Sequence, residues 1–189
     1  MAIGILSTSI ASALSLTTLS LAAEQESLSA IVAANLAREG VEVARTIRDS
    51  NWLAGLDWDN GLYEGAGNPD YTAVPVFEPN SGDWHFYYAP DNLASEKTRV
   101  FRHESESSNA TRGLYRQFPA LSGAMIDTGF RRLVELHPVC VDTLGIFSVI
   151  ESGKCSVDKA GIRVRVTVTW NVAGRDHQLV VEEGLYDWR

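Results

Sequence analysis

The oxygen donors of Asp57-Trp58-Asp59-Asn60-Gly61 are spaced as if to collect a hard cation. A calcium loop of that kind places Gly at its sixth position and an acid at its twelfth. Here Gly61 is fifth and Asn68 is twelfth, so the run reads as an acidic turn. Zinc would need clustered thiolates and imidazoles, but His85, His103, His137 and His177 are scattered and no C-x2-C pair occurs. No phosphate-binding loop, nucleophile elbow or dinucleotide fingerprint is present, so neither an enzymatic activity nor a cofactor is expected. Asn109-Ala110-Thr111 is a formal glycosylation acceptor, a triplet common by chance.

Cys140 and Cys155 enclose a 16-residue segment. Bonded, they would restrict the unfolded chain by about 3 kcal/mol and suit an exported protein. The alternative is two unpaired thiols, since two cysteines carry little pattern.

These groups must be positioned by two very different stretches of chain. The first 50 residues contain no proline and no aromatic, whereas all six prolines and all 17 aromatics follow. The expected organisation is a helix over 1–50 and a single globular head over 51–189. Residues 1–23 are uncharged, with 14 apolar residues, eight Ser or Thr and one Gly. As a helix they would measure about 35 Å, long enough to cross a hydrocarbon layer. Ser20-Leu21-Ala22 is a passable signal-cleavage site, but no Lys or Arg precedes the apolar run to form a basic n-region.

From Glu24 onward the helical period continues. Leu28, Val32, Leu36, Val43 and Ile47 mark an apolar stripe, with Gly40 on the same face. Gly40 implies either close packing or a point where the helix loosens. Arg38 with Glu42, Glu42 with Arg45 and Arg45 with Asp49 are spaced as helix-supporting ion pairs on the other faces. The turn-forming cluster Asp49-Ser50-Asn51 is expected to end the helix.

Beyond it, 51–83 reads as a loop-dominated connector, with turn signals at Asp59-Asn60-Gly61, Gly65-Ala66-Gly67-Asn68-Pro69 and Glu78-Pro79-Asn80-Ser81-Gly82. Strands are expected at 84–89, 113–117 and 130–136, and an exposed loop at 99–112. The clearest strand alternates Ile162, Val164, Val166, Val168 and Trp170 with Arg163, Arg165, Thr167 and Thr169. A turn near Gly174 returns the chain into a partner strand at 177–182. The expected fold is α+β: an antiparallel sheet whose apolar face, with Val164, Val166, Val168 and Trp170, packs on Leu36, Val43 and Ile47 of the long helix.

The run from Ala33 through Asn35-Leu36-Ala37-Arg38-Glu39-Gly40 to Asn51-Trp52-Leu53 resembles the amphipathic helix end of bacterial type IV pilin-like proteins, the minor pilins and pseudopilins. Gly4-Ile5-Leu6 with Ala13-Leu14-Ser15-Leu16 is similar to the later part of their hydrophobic helix. Val166-Thr167-Val168-Thr169-Trp170 and Leu185-Tyr186-Asp187-Trp188-Arg189 resemble the end of their heads. The family's basic leader, Gly-Phe-like junction and early acidic residue do not occur before Glu24, so Met1 is expected to lie inside the true helix, with about ten or more residues ahead of it. The resemblance implies a non-enzymatic filament subunit of a type IV pilus or a type II secretion-like system. Its helix would sit in the cytoplasmic membrane as a single pass before assembly, with its head outside the cytoplasm, and would then pack against other subunits at the cell surface. The alternative is a signal-anchored or secreted binding domain that does not polymerise.

The net charge is −8, with five acids and three arginines in the first 50 residues and a larger acidic excess after them. That balance is a poor match for nucleic-acid phosphates. Arg131, Arg132, Arg163 and Arg165 could form a local basic patch, but more simply they solvate sheet faces and edges.

Overall fold

A computed structural model describes residues 2–62, 71–78, 81–88, 92–104, 112–119, 124–151, 153–156 and 158–187, with side chains from residue 9 onward. One helix, α1 (Ala2–Ala54), precedes eight strands: β1 (Thr72–Glu78), β2 (Asp83–Tyr87), β3 (Arg99–His103), β4 (Tyr115–Arg116), β5 (Met125–Val141), β6 (Phe147–Val149), β7 (Asp158–Val172) and β8 (Arg175–Tyr186). The chain is therefore α+β, a single long helix packed on an open antiparallel sheet.

Strand β5 organises the sheet. One of its edges pairs with β7 from Arg131↔Thr169 to Val141↔Asp158, and β7 in turn pairs with β8. Its other edge is shared by three strands in succession: β3 beside Met125 to Arg131, β1 beside Val134 and Glu135, and β6 beside Val139 to Val141. The β7–β8 hairpin closes through Ala173 and Gly174, both at positive φ (51° and 78°), the two-residue turn whose twist matches its flanking strands. Asn171 fixes that turn, accepting from the Gly174 amide at 3.0 Å and donating to Asp176 at 2.7 Å.

The alternating period of β7 divides the sheet's faces. Ile162, Val164, Val166 and Val168 are buried in a core shared with Ala33, Leu36, Ala37, Val43 and Ala44 of α1. Ile47 and Trp170 are partly buried against that core. The helix lies mainly over β7 and β8. It comes nearest at Gly40, where a Cβ would meet both methyls of Val166 at 3.0 Å and a methyl of Val134 at 3.5 Å. Close packing therefore accounts for this glycine.

Several expectations need correction. The helix does not end at Asp49-Ser50-Asn51 but runs one turn further, to a Gly55 stop at φ 70°. The Leu56 amide bonds the Asn51 carbonyl (2.9 Å) and the Gly55 amide bonds the Trp52 carbonyl (3.2 Å), a Schellman closure. Asn51 is buried and uses its side chain elsewhere, donating to the carbonyls of Trp58 (3.1 Å) and Asn60 (2.8 Å) so that the following turn is pinned to the helix. The connector at 51–83 contains the buried strand β1, whose Pro75 lies beyond the short pairing with β5 and so costs that ladder no donor. The expected loop at 99–112 begins as strand β3, with Val100 and His103 buried among the charged residues Arg99, Arg102 and Glu104, which mask the pattern. Leu28 is exposed and does not face the head. The glycine-rich run 65–69 and the Asn109-Ala110-Thr111 triplet lie outside the described residues.

The approach at Gly40 sets a volume limit. Gly40→Ala gains about 1 kcal/mol of helix propensity but presses one methyl on Val166, leaving stability within about 1 kcal/mol of the wild type. Gly40→Leu has no such offset and is expected to cost about 1–3 kcal/mol or more in denaturant unfolding.

Candidate assembly surface and the clamps that present it

Among residues 9–25 every side chain is exposed, and Glu26 is the first that the head partly covers. Ile10, Leu14, Leu21, Leu28 and Ile31 are each 54–62% exposed, and Leu16 and Leu19 are exposed on other sides of the helix. An apolar strip of this length on a free helix has the character of a contact surface. Glu26 marks where the head begins: its carboxylate lies 3.8 Å from both the Arg175 guanidinium and His177 Nδ1 at the β7–β8 hairpin, while the strip runs on past it on the opposite side of the helix to Leu28 and Ile31. His177 stacks on Trp170 at 5.4 Å, and Trp170 packs against Phe130.

Two arginines fix the lower half of α1 to the sheet. Arg132 on the inner face of β5 is 1% exposed. Its Nη1 donates to the Leu36 carbonyl (3.1 Å) and to Glu39 (2.6 Å), and its Nε donates to Gln117 (2.7 Å). The buried Gln117 amide then donates to the carbonyls of Thr98 (2.8 Å) and Arg132 (3.0 Å), so one network links helix, β5 and the turn before β3. Arg45 forms a two-pronged pair with Glu183 of β8 (2.6 and 2.5 Å) and also meets Glu42 at 2.5 Å. The Glu183 hydrogen bond is the main reason its pKa lies above the ordinary arginine value.

The arginines read as a possible basic patch are thus dispersed. Arg132 is a buried clamp and does not solvate a sheet face. Arg131 donates to the carbonyls of Leu93 (3.2 Å) and Ser95 (2.9 Å), Arg163 bonds Glu151 (2.8 Å), and Arg165 lies between Glu135 (3.8 Å) and Glu182 (3.2 Å). Their charges are met within the head. Of the three expected helix pairs, Glu42–Arg45 forms; Arg45 turns to the sheet instead of Asp49, which pairs with Arg48, and Arg38 makes no ion pair. Sequence spacing had no means of identifying Arg132 or Gln117, because their partners lie on remote segments.

Cys140 and Cys155 are joined by a disulfide. The bond closes a loop on which Leu144, Ile146 and Phe147 are exposed, Leu144 most of all at 82%. Asp142 shapes the loop's tip by accepting from the amides of Leu144 and Ile146 at 2.8 Å. At its foot, Glu151 bonds Arg163, which is the leading reason its pKa sits below the usual carboxylate range, and the Tyr71 hydroxyl donates to the Gly153 carbonyl. Tyr71 stacks on His137 at 5.0 Å. The acidic turn after the helix is likewise used internally: Asp59 pairs with Lys159, whose ammonium lies 5.6 Å from the Trp58 ring. Burial holds the Lys159 pKa below its ordinary value, against the attraction of Asp57.

Among the described residues no group of three His, Cys, Asp or Glu could hold a metal ion, and no helix is long and apolar enough to cross a membrane. No protein-family model, curated protein or solved structure matches the chain.

Truncating Arg132 to Ala strands the buried Leu36 carbonyl and Gln117 side chain, and is expected to cost about 3–5 kcal/mol in denaturant unfolding, as removal of one member of a buried pair does. Glu39→Gln keeps a hydrogen-bond acceptor and should cost less than half as much; equal losses would place the stabilising force in the charge pair alone. Cys140→Ser releases the loop constraint, worth about 3 kcal/mol. Its melting temperature should fall by about 6–12 °C in calorimetry.

Proposed function

We propose that the chain is a non-enzymatic, pilin-like structural subunit, a minor pilin or pseudopilin of a type IV pilus or type II secretion-like filament. One observation carries this reading: a single unbroken helix serves as the spine of an antiparallel head along one half and, from Ile10 to Leu21 of the other, projects bare apolar side chains. A free half of this composition needs a partner surface. The eight hydroxyl residues among positions 1–23 keep its hydropathy modest, and small side chains of that kind suit close helix-to-helix packing.

In this reading the partners are other pilin or pseudopilin subunits, met through the upper helix. Before assembly that segment rests in the bacterial cytoplasmic membrane with the head outside the cytoplasm; afterwards it is buried in the filament core at the cell surface. The acidic balance argues against nucleic acid as a general partner. The apolar disulfide loop at Leu144, Ile146 and Phe147 favours a second reading, a non-polymerising exported binding domain that uses the helix only as an anchor.

Sedimentation of the full chain in mild detergent, beside a chain beginning at Glu24, separates the two. A filament subunit gives concentration-dependent oligomers that the truncation abolishes while the head keeps its cooperative unfolding. A monomeric full chain at all concentrations would reject assembly through the helix and favour the binding domain.

A further inference from the structure

The exposed helix stripe has a period and a pair of charges that together specify a register. Ile10, Leu14, Leu21, Leu28 and Ile31 recur at alternating three- and four-residue steps once Thr17 and Glu24 are counted at the intervening positions. This is the spacing of a seam that packs on another helix. The same seam continues downward on the solvent side of α1 through Asn35, Arg38 and Glu42, all exposed. Glu24 thus interrupts an apolar seam with a carboxylate, and Arg38 follows two heptads later in the same seam position.

These two residues differ from every other charged residue on α1. Glu26 faces Arg175 and His177, Glu39 meets Arg132, Glu42 and Arg45 join Glu183, and Arg48 pairs with Asp49. Among the described charged side chains of the helix, those of Glu24 and Arg38 alone have no hydrogen bond or ion pair. They are opposite in sign, and at 1.5 Å per residue their separation of 14 positions is about 21 Å along the axis.

We infer that α1 docks in parallel on α1 of a second copy displaced by two heptads, about 21 Å, so that Glu24 of one subunit pairs with Arg38 of the next. The inference rests on the filament reading above and adds its register. Unshifted parallel packing would bring Glu24 onto Glu24 within an apolar seam, which is repulsive and leaves both carboxylates without a counter-charge. The two-heptad shift removes that clash and sets Leu14 and Thr17 of one copy against Leu28 and Ile31 of the next. It is also heterologous, the upper seam of one copy lying on the lower seam of the next, the kind of contact that forms an open filament when its rotation does not close.

The test uses full-length chains with the Cys140–Cys155 disulfide intact, so that introduced thiols are the only free ones. Glu24→Cys chains mixed with Arg38→Cys chains in mild detergent are expected to cross-link to each other on oxidation, and Glu24→Cys chains alone are not. Glu24→Arg and Arg38→Glu should each weaken self-association about tenfold, the scale of a close charge pair across an interface, and the two together should restore it. Both side chains are exposed and unpaired in the single chain, so cooperative unfolding of the head should be unchanged in each variant. Cross-linking of Glu24→Cys to itself, or association unaffected by either reversal, overturns the staggered pair while leaving the filament reading intact. A wild-type chain that does not associate at all overturns both.

Discussion

A guanidinium with 1% of its surface exposed can remain in a protein interior only if its donors are met, and Arg132 meets them from three directions. Its contact with the Leu36 carbonyl and Glu39 sets the height and rotation at which the helix crosses the sheet. Its contact with Gln117 carries that constraint to Thr98 and the segment leading into β3. Because the helix must come this close, the position one turn after Leu36 has no room for a large side chain, and Gly40 occupies it against Val166. The small residues Ala33, Ala37 and Ala44 on the same face meet the same geometric demand.

Fixing the lower helix in this way has a consequence for the upper one. With the buried face assigned to Ala33, Leu36, Ala37, Gly40 and Val43, the seam through Leu21, Leu28 and Ile31 turns away from the head and stays bare. The head ends where Glu26 touches the β7–β8 hairpin, and among the described residues nothing covers positions 9–25 beyond it. One helix thus serves two interiors: the head's own core, and one that additional copies would supply in the proposed filament.

The sheet handles its charges in a related way. Its solvent face carries arginines and acids in alternation, Arg163 with Glu151 and Arg165 between Glu135 and Glu182, which compensate one another locally. Exposed pairs of this kind contribute little stability individually, but they keep long antiparallel edges soluble. One apolar exception is the tip of the disulfide loop, where Leu144, Ile146 and Phe147 are held outward by a covalent closure and not by a core beneath them.

The sequence by itself determined what depends on residues a few positions apart. The absence of proline and aromatics before residue 51 fits a single helix, the uncharged first 23 residues set its two halves, and the strict alternation from Ile162 to Trp170 marked a strand with one buried face. An α+β arrangement of helix on antiparallel sheet follows from those patterns, because an amphipathic helix and a one-sided sheet each need a cover. Tertiary structure decided the rest. Arg132 and Leu36 are 96 residues apart in sequence, so nothing local distinguishes this buried arginine from Arg131 or Arg163, which face outward. The helix outlasts Asn51 because the carbonyls of Trp58 and Asn60, in the turn beyond the helix, satisfy that side chain and override its turn preference. Val100, next to Arg99 in a charged stretch, is buried where β3 pairs with β5, and Leu28 is bare because the phase of the helix is set by contacts at Gly40 and Arg132. Periodicity is a short-range property of the chain; which face of a period is buried depends on contacts between segments that are distant in sequence.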